Sequence, residues 1–166
     1  MDKHVVEVTR QCAYYGKKGR CKRITTLTHP FCAKHTKKML GVSVKKSHIK
    51  GAGYGLFAEK DFKKGQKIVE YTGELLTQDE YDERYAEDDM GSYGISLTDD
   101  LVIDAARTDS GVARYACDYH GSGGKNNADY ESDDDTIWIV ATRKIKAGEE
   151  IYTDYGDDMH EALGLE

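Results

Sequence analysis

Four residues near the N-terminus have the types and the spacing of a metal site. Cys12, Cys21, Cys32 and His35 follow the pattern C-x8-C-x10-C-x2-H, which takes up three of the four cysteines in the chain. Structural zinc is commonly held by thiolate and imidazole ligands arranged as a tetrahedron. Because residues 1–40 contain too little apolar surface to fold alone, a metal would supply the missing stability. Two other histidines of this segment are alternative fourth ligands: His4 and His29.

A second group of chemically suggestive residues lies further along the chain. A polar, glycine-rich stretch runs from Gly111 to Tyr130 and contains an arginine and a cysteine among aromatic residues. A loop of this length inside a compact domain is usually either functional or disordered. Three further segments contain glycines, carboxylates and tyrosines that could complete a site. They are KGAGYGLFA at residues 50–58, EYTGE at residues 70–74 and EEIYTDYG at residues 149–156.

These segments, in this order and spacing, resemble the motifs of SET-domain protein lysine methyltransferases. The family has a glycine turn, an E-Y-x-G-E strand, a hydrophobic-Ile-Asp-Ala segment, an A-R-F/Y-x-N-H-S segment and a closing E-L/I-x-Y-D-Y-G. The corresponding residues here are Gly51–Gly55, Glu70–Glu74, Leu101–Ala105, Ala113–Tyr115 and Glu150–Gly156. Five motifs in the right order are specific, and the resemblance covers roughly residues 41–156.

The resemblance implies a mostly β fold, a β-clip-like SET fold of small curved sheets with a C-terminal pseudoknot, plus the small zinc-stabilised module. Short strand-like runs such as Val42–Val44, which alternates apolar and polar residues, agree with a mostly β domain. We expect three parts: the basic Cys3His module at residues 1–40, the SET domain at residues 41–156 and an acidic C-terminal tail at residues 157–166. In the SET domain one helix is predicted after the capping-box pattern Thr77-Gln78-Asp79-Glu80.

The resemblance also implies a site at which S-adenosyl-L-methionine methylates a lysine side chain. It identifies Tyr155 as the catalytic tyrosine, Tyr93 as a wall of the lysine channel and Tyr71 as a second aromatic residue near the site. On pattern alone, each tyrosine would equally fit a half-buried strand face. The residues expected to bind the cofactor are Gly51, Gly53, Tyr54, Arg114, Cys117 and Asp118.

Cys117 and Asp118 stand where the family most often has Asn and His. The family's Asn side chain hydrogen-bonds the polar end of the cofactor, whereas a thiol is only a weak donor. A lost hydrogen bond to a charged group costs roughly 1.5–3 kcal/mol, or about one to two decades of affinity. Asp118 need not matter if only its backbone contacts the cofactor. Two interpretations therefore stay open: an active methyltransferase, and a catalytically weak or inactive SET module that binds chromatin or a lysine-rich peptide.

Charge is strongly segregated along the chain. Residues 1–50 contain 13 Lys and Arg against 2 Asp and Glu, whereas the remaining 116 residues contain 11 against 28. The basic head favours contact with DNA or a nucleosome. The acidic body favours a basic substrate, a histone tail or another lysine-rich protein. The alternatives are that the head only packs on the body and that the acidic run at residues 129–135 is a solvated loop.

Composition sets the expected location and partners. No window of about 18 apolar residues exists, so no membrane contact is expected, and the charged N-terminus lacks a secretory signal. We expect a nuclear, chromatin-associated protein, with the cytoplasm as the alternative. Its cysteines would then be thiols or metal ligands. Since no C-x-C cluster follows Gly156, the tail, a partner or a second copy in a homodimer would have to cover the site.

Overall fold

The computed structural model describes residues 6–86, 91–157 and 159–160 and shows a mostly β chain with few helices. The acidic tail predicted at residues 157–166 therefore lies largely outside the described residues. None of the helices in the described part of the chain is long and apolar enough to span a membrane. The elements are β1 (Arg10–Gln11), β2 (Tyr15–Gly16), β3 (Gly19–Arg20), β4 (Ile24–Thr25), α1 (Ala33–Leu40), β5 (Val42–Lys46), β6 (Tyr54–Ala58), β7 (Lys67–Glu70), β8 (Glu74–Thr77), α2 (Gln78–Arg84), β9 (Gly94–Ser96), β10 (Leu101–Asp104), β11 (Cys117–Asp118), β12 (Ala128–Asp133), β13 (Thr136–Ala141) and β14 (Glu150–Thr153).

The N-terminal head consists of two small ladders and a helix. β1 pairs with β4 and β2 pairs with β3, both antiparallel. The helix α1, which the sequence pattern did not predict, begins after Cys32 and ends at Leu40. There Gly41 adopts a φ of 70° and its amide donates to the Lys37 carbonyl oxygen at 3.0 Å. A left-handed glycine is a common helix end, and here it turns the chain directly from α1 into β5.

Residues 6–10 dock the head on the body. The Thr108 amide donates to the Val6 carbonyl oxygen at 2.9 Å, and the Val8 amide donates to the Thr108 hydroxyl at 2.7 Å. Arg10 adds an ion pair with Asp109 at 3.0 Å. These contacts join residues about 100 positions apart in the chain, so the head is held in one orientation against the body.

The four-stranded sheet has the order β11-β14-β6-β5 and places the last strand in its middle. β14 runs antiparallel to β6 and parallel to β11, with Cys117 opposite Tyr152 and Asp118 opposite Thr153. A parallel pair cannot be joined by a tight turn, and the connection from β11 to β14 contains the whole of β12 and β13. This insertion of the final strand between earlier ones fits the SET fold expected from the motifs.

Two three-stranded sheets complete the body, one ordered β8-β10-β9 and the other β12-β13-β7. Aliphatic and aromatic side chains from all three sheets form one core. Its largest fully buried side chains include Leu56, Phe62, Ile137, Ile139, Ile145 and Ile151. This core fixes the relative positions of the strand ends that carry the predicted site residues.

The predicted capping box is present at the start of α2. The Thr77 hydroxyl accepts the Glu80 amide at 3.1 Å, and the Glu80 carboxylate accepts the Thr77 amide at 3.4 Å. At the other end Arg84 donates to Glu74 and, at 3.0 Å, to the fully buried carboxylate of Asp104. The helix is therefore anchored to β8 and β10 by polar contacts at both of its ends.

The interpretation of residues 129–135 as a solvated loop was wrong about the loop, although residues 131–135 are exposed to solvent. Residues 128–133 form β12, which pairs with β13 in register from Ala128 opposite Ala141 to Asp133 opposite Thr136. The turn contains Asp134 at a φ of 51°. The carboxylates of this run alternate with less polar residues, so they occupy one side of a half-buried strand.

Gly73 supplies a test of the close backbone approach between the start of β8 and the end of β10. A Cβ at this position would lie 2.4 Å from the Asp104 carbonyl oxygen and 3.0 Å from the Ala105 amide nitrogen. Since both atoms belong to the backbone, they cannot move away cheaply, and we expect Gly73→Ala to lower the free energy of unfolding by about 1–3 kcal/mol. Gly124→Ala is the matched control, because a Cβ there has no contact within 4 Å. Denaturant unfolding measures both variants, and equal stabilities would contradict the expectation.

Candidate active site

The three tyrosines predicted to be catalytic line one cleft, which we call the tyrosine cleft. Tyr71, Tyr93 and Tyr155 come from three separate segments and bound a space of about 300 Å³. Tyr130, on β12, is a fourth tyrosine of the same cleft. The other lining residues are Ser92, Gly94, Ile95, Ser96, Arg114, Ala116 and Met159. The fold therefore brings all three predicted tyrosines together and adds a fourth ring that sequence analysis did not select.

Hydrogen bonds and ring contacts fix the tyrosines. The Tyr71 hydroxyl donates to the Tyr93 carbonyl oxygen at 2.7 Å, and the Tyr155 hydroxyl donates to the Ala116 carbonyl oxygen at 2.9 Å. The rings of Tyr71 and Tyr130 meet edge to face with their centroids 5.8 Å apart. Aromatic pairs prefer this geometry, so the walls of the cleft are set before any ligand binds.

The buried phenols of the cleft are uncharged at neutral pH. Burial raises the pKa of Tyr71, Tyr130 and Tyr155 above the ordinary value of about 10, and the nearby Tyr130 phenol raises the pKa of the other two further. These hydroxyls therefore act as neutral hydrogen-bonding groups and not as bases. The described lining of the cleft includes no carboxylate and no imidazole.

Arg114 lines the tyrosine cleft and supports its aromatic wall. Its guanidinium lies 4.4 Å from the ring centroid of Tyr93 and 4.9 Å from that of Tyr115. Its Nε donates to the Ala105 carbonyl oxygen at 2.8 Å, and the residue is buried. These contacts give Arg114 a structural function, and its predicted contact with a cofactor stays a prediction.

The remaining residues predicted to bind a cofactor lie next to the cleft, on and before β6 and on β11. Gly51 and Gly53 precede β6 with φ angles of 81° and 74°, and a Cβ at either position would meet nothing within 4 Å. Glycine is favoured there by backbone conformation. The side chain of Tyr54 is 52% exposed. This turn therefore exposes its backbone to solvent. Ala116 lines the tyrosine cleft, and the next residue, Cys117, contacts Tyr54.

The Cys117 side chain contacts this turn. Its Sγ donates to the Tyr54 carbonyl oxygen at 3.4 Å and lies 3.6 Å from the Tyr115 carbonyl oxygen. Burial raises the pKa of the thiol, which therefore stays neutral. Cys117 thus packs β11 against the backbone of β6.

Asp118 acts through its side chain, which the sequence comparison did not indicate. Its buried carboxylate accepts the Tyr155 amide at 2.8 Å and the His120 amide at 3.0 Å, and it also contacts the His120 and His160 imidazoles. Burial opposes ionisation of this group, but the hydrogen bonds from Tyr155 and His120 outweigh it and lower the pKa of the carboxyl. Asp118 therefore fixes the backbone of the predicted catalytic tyrosine.

Two other buried polar residues hold β14 in place and were not selected from the sequence. The Asn127 side chain donates to the Glu150 carbonyl oxygen at 2.9 Å and accepts the Tyr152 amide at 2.8 Å. The Glu150 carboxylate accepts the Ser47 hydroxyl at 2.6 Å and the His48 amide at 2.9 Å. The available signal was weak: Asn127-Ala128 resembles the P-N-A/C segment that follows the N-H-S motif in the family.

The four predicted metal ligands of the head converge. The donor atoms of Cys12, Cys21, Cys32 and His35 all lie within 4.8 Å of one another. The His35 Nδ1 is 3.6 Å from the Cys12 Sγ and 3.3 Å from the Cys32 Sγ. Tetrahedral zinc with its usual bond lengths separates a sulfur and a nitrogen ligand by about 3.6 Å. The donor set and its spacing therefore fit a Cys3His zinc site, with Tyr14 stacked on the His35 ring at 3.9 Å.

The sequence matches the SET domain family over residues 53–156, and the chain belongs to this family. It is 34% identical to a protein of Chaetomium thermophilum named histone-lysine N-methyltransferase EZH2, over 69% of this chain and 8% of that protein. It is also 34% identical to the human histone-lysine N-methyltransferase 2D, over 65% of this chain and 2% of that protein. The matched region thus spans only a small part of either relative.

Solved structures show the same similarity in three dimensions. A structure described as ctPRC2 in an autoinhibited conformation bound to S-adenosylmethionine aligns with a TM-score of 0.60 and 32% identity, over 70% of this chain and 15% of that one. The crystal structure of the Chaetomium thermophilum polycomb repressive complex 2 aligns equally well, with a TM-score of 0.60. The expected SET fold is therefore confirmed.

The buried phenols predict a pH dependence of stability. A phenol whose pKa is raised in the folded protein contributes stability that is complete below the unfolded pKa of about 10 and is lost as the pH rises above it. We expect the free energy of unfolding to fall above about pH 10, and to fall less steeply in Tyr130→Phe. Denaturant unfolding at a series of alkaline pH values measures this slope. Tyr15→Phe removes a phenol from a residue that is 69% exposed, and its slope should match that of the native chain. Identical slopes for Tyr130→Phe and the native chain would refute the expectation.

Proposed function

We propose that this chain is an S-adenosyl-L-methionine-dependent protein lysine N-methyltransferase whose tyrosine cleft receives the substrate lysine. The observation that carries the proposal is the convergence of Tyr71, Tyr93, Tyr130 and Tyr155 in one cleft of a SET-family chain. Two relatives are named histone-lysine N-methyltransferases, and one structural neighbour is described as bound to S-adenosylmethionine. These similarities favour the enzyme over the inactive module.

The chemistry of the cleft suits transfer of a methyl group to an amine. A lysine with a pKa near 10.4 must lose a proton before it can attack, and both a dry channel and a neighbouring sulfonium charge favour that loss. Aromatic faces stabilise the ammonium before deprotonation. Because the described lining offers no carboxylate or imidazole base, the proton would leave to water, and the protein would contribute positioning and electrostatics.

The proposed cofactor position is the exposed turn formed by Gly51, Gly53 and Tyr54, beside Arg114, Cys117 and Asp118. The turn exposes its backbone. Cys117 contacts Tyr54, and the preceding residue, Ala116, lines the tyrosine cleft. A cofactor bound there would present its methyl group toward Tyr155 from the side opposite to the entering lysine. Cys117 would leave one polar group of the cofactor without the amide partner that the family usually provides.

The proposed substrate is a histone tail, with another lysine-rich protein as the alternative. The acidic body and the names of the relatives support a histone. The head presents exposed basic side chains that suit DNA phosphates, namely Lys17, Lys18, Lys22, Arg23, Lys34 and Lys38. Such a protein would act on chromatin in the nucleus. A homodimer that covers the cleft remains part of this proposal.

We also propose a structural Zn²⁺ ion in the head, held by Cys12, Cys21, Cys32 and His35. The converging donor atoms and the shortness of the strands in the head support it. Zinc would join β1, β3 and α1 and would keep residues 1–40 folded as a module of their own beside the SET domain at residues 41–156.

The catalytic function of Tyr155 is tested by removing its hydroxyl. We expect Tyr155→Phe to lower kcat for lysine methylation roughly 100-fold and to leave the affinity for S-adenosyl-L-methionine within a few-fold of the native value. Transfer of labelled methyl groups to a histone tail peptide measures the rate, and calorimetric titration measures the cofactor affinity. Tyr15→Phe, on the exposed face of the head, should keep the native rate.

The same titration tests the cofactor site. Micromolar binding by the native chain supports the enzyme, and Cys117→Asn should then bind equally or up to about 100-fold more tightly. Binding only by Cys117→Asn would favour the inactive module, and binding by neither would refute the proposed cofactor site. Comparison of histone and non-histone lysine-rich proteins as acceptors decides the substrate class.

The zinc proposal predicts a specific loss of metal. Cys21→Ser should lose one equivalent of zinc and should make the head sensitive to protease, because the described part of the head, from residue 6 onward, contains no large core. Elemental analysis and limited proteolysis measure the two effects. Cys117→Ser removes the one cysteine that lies outside the head, and it should keep the zinc content of the native chain. An unchanged zinc content in Cys21→Ser would refute the proposed ligand set.

A further inference from the structure

A second group of metal-ligand side chains lies at the C-terminal side of the body. Asp118 is the last residue of β11, His120 lies in the turn that follows it, and His160 comes from the short helical segment that follows Gly156. One donor atom of each lies within 4.8 Å of the other two. We propose that these three side chains bind a divalent transition metal, Zn²⁺ in the first place, at a site separate from the Cys3His cluster.

The donor atoms of the three side chains already lie around the Asp118 carboxylate. The His160 Nε2 lies 2.7 Å from one carboxylate oxygen of Asp118, and the His120 Nδ1 contacts the other oxygen. The two imidazole rings are 4.3 Å apart between centroids and inclined at 67°. A metal would replace the protons that the two imidazoles now direct at the carboxylate. The ligand atoms would then need only small movements to reach coordination distance.

The carboxylate of Asp118 is held in a fixed orientation. It is 6% exposed, and the amides of Tyr155 and His120 each donate to a different one of its oxygens, at 2.8 Å and 3.0 Å. Such outer hydrogen bonds orient metal ligands and strengthen binding. Two imidazole nitrogens and a carboxylate oxygen form a ligand set that suits zinc, with a fourth position for water.

The carboxylates around His160 favour the binding of a cation at this site. The His160 imidazole has three carboxylates within 4.0 Å, those of Asp118, Asp154 and Asp157. Two of them face its Nε2, where the metal would bind, with the Asp154 oxygen at 3.2 Å. A divalent cation would therefore balance a locally negative group of side chains at a partly buried position.

The location gives the metal a structural consequence for the tyrosine cleft. The His160 amide donates to the Gly156 carbonyl oxygen at 3.0 Å, which closes one helical turn after Tyr155. Met159, in the same turn, lines the tyrosine cleft. Coordination of His160 would fasten this turn to β11 and would hold Met159 and Tyr155 at the wall of the cleft.

Metal content and cobalt spectroscopy test the site without relying on enzyme activity. The native chain should bind two equivalents of zinc, Cys21→Ser should bind one, and His160→Gln should bind one. Glutamine can still donate a hydrogen bond to Asp118 but is a poor metal ligand. We therefore expect His160→Gln to lose affinity for the second equivalent by roughly 100-fold or more while the chain stays folded. His48→Gln, at an imidazole that is 72% exposed, should keep both equivalents.

Cobalt substitution separates the two sites by their ligands. Cobalt in the Cys3His cluster should show thiolate charge-transfer absorption, whereas cobalt in Cys21→Ser should show only the visible bands of a nitrogen and oxygen site. Those visible bands should disappear in the double variant Cys21→Ser, His160→Gln. A native chain that binds one equivalent, or a His160→Gln variant that keeps two, would overturn the proposal and would leave the cluster as a hydrogen-bonded group.

Discussion

The fold of this chain depends on the placement of β14 between β6 and β11. The strand is joined on one side to residues 117–118 and on the other to residues 56–57, far away in sequence. Its side chains are almost entirely buried at Glu150, Ile151 and Thr153. The side chain of Asn127 adds two hydrogen bonds to its backbone. Bringing these segments together costs loop entropy, which this burial and hydrogen bonding offset.

The placement of β14 also brings Tyr155 to the candidate active site. Since β14 ends at Thr153 beside Asp118, Tyr155 emerges next to β11, where its amide meets the Asp118 carboxylate and its hydroxyl meets the Ala116 carbonyl oxygen. One side of this short segment faces the tyrosine cleft through Ala116, and the other contacts the turn before β6 through Cys117. The proposed lysine site and the proposed cofactor site therefore lie on opposite sides of Ala116 and Cys117. An in-line methyl transfer requires the two substrates to approach from opposite sides in this way.

Sequence reasoning identified the parts of the site that are marked by local motifs and missed those that depend on distant pairing. Tyr71 and Tyr155 each belong to a short motif and Tyr93 was assigned by the family resemblance, so their convergence was predictable from that resemblance. Tyr130 lies in a run dense in carboxylates, which favoured a loop, although the alternation of acidic residues with Ala128, Tyr130 and Ser132 was the signal of a strand. The contact of Asp118 with His160 spans 42 residues, so no local pattern could indicate it, whereas the contact of Asp118 with His120 is local.

The head and the body are linked by charge as well as by backbone contacts. Arg10 pairs with Asp109 and Lys37 pairs with Glu59, and in the described part of the chain these two ion pairs lie at the junction of the head and the body. The basic side chains around the proposed zinc site stay exposed and unneutralised by these pairs. Docking on the body and the proposed contact with DNA would therefore use different residues, so the two functions that the charge pattern suggested for the head are compatible. A head held in one orientation would in turn fix the direction from which a nucleosome-bound tail reaches the tyrosine cleft.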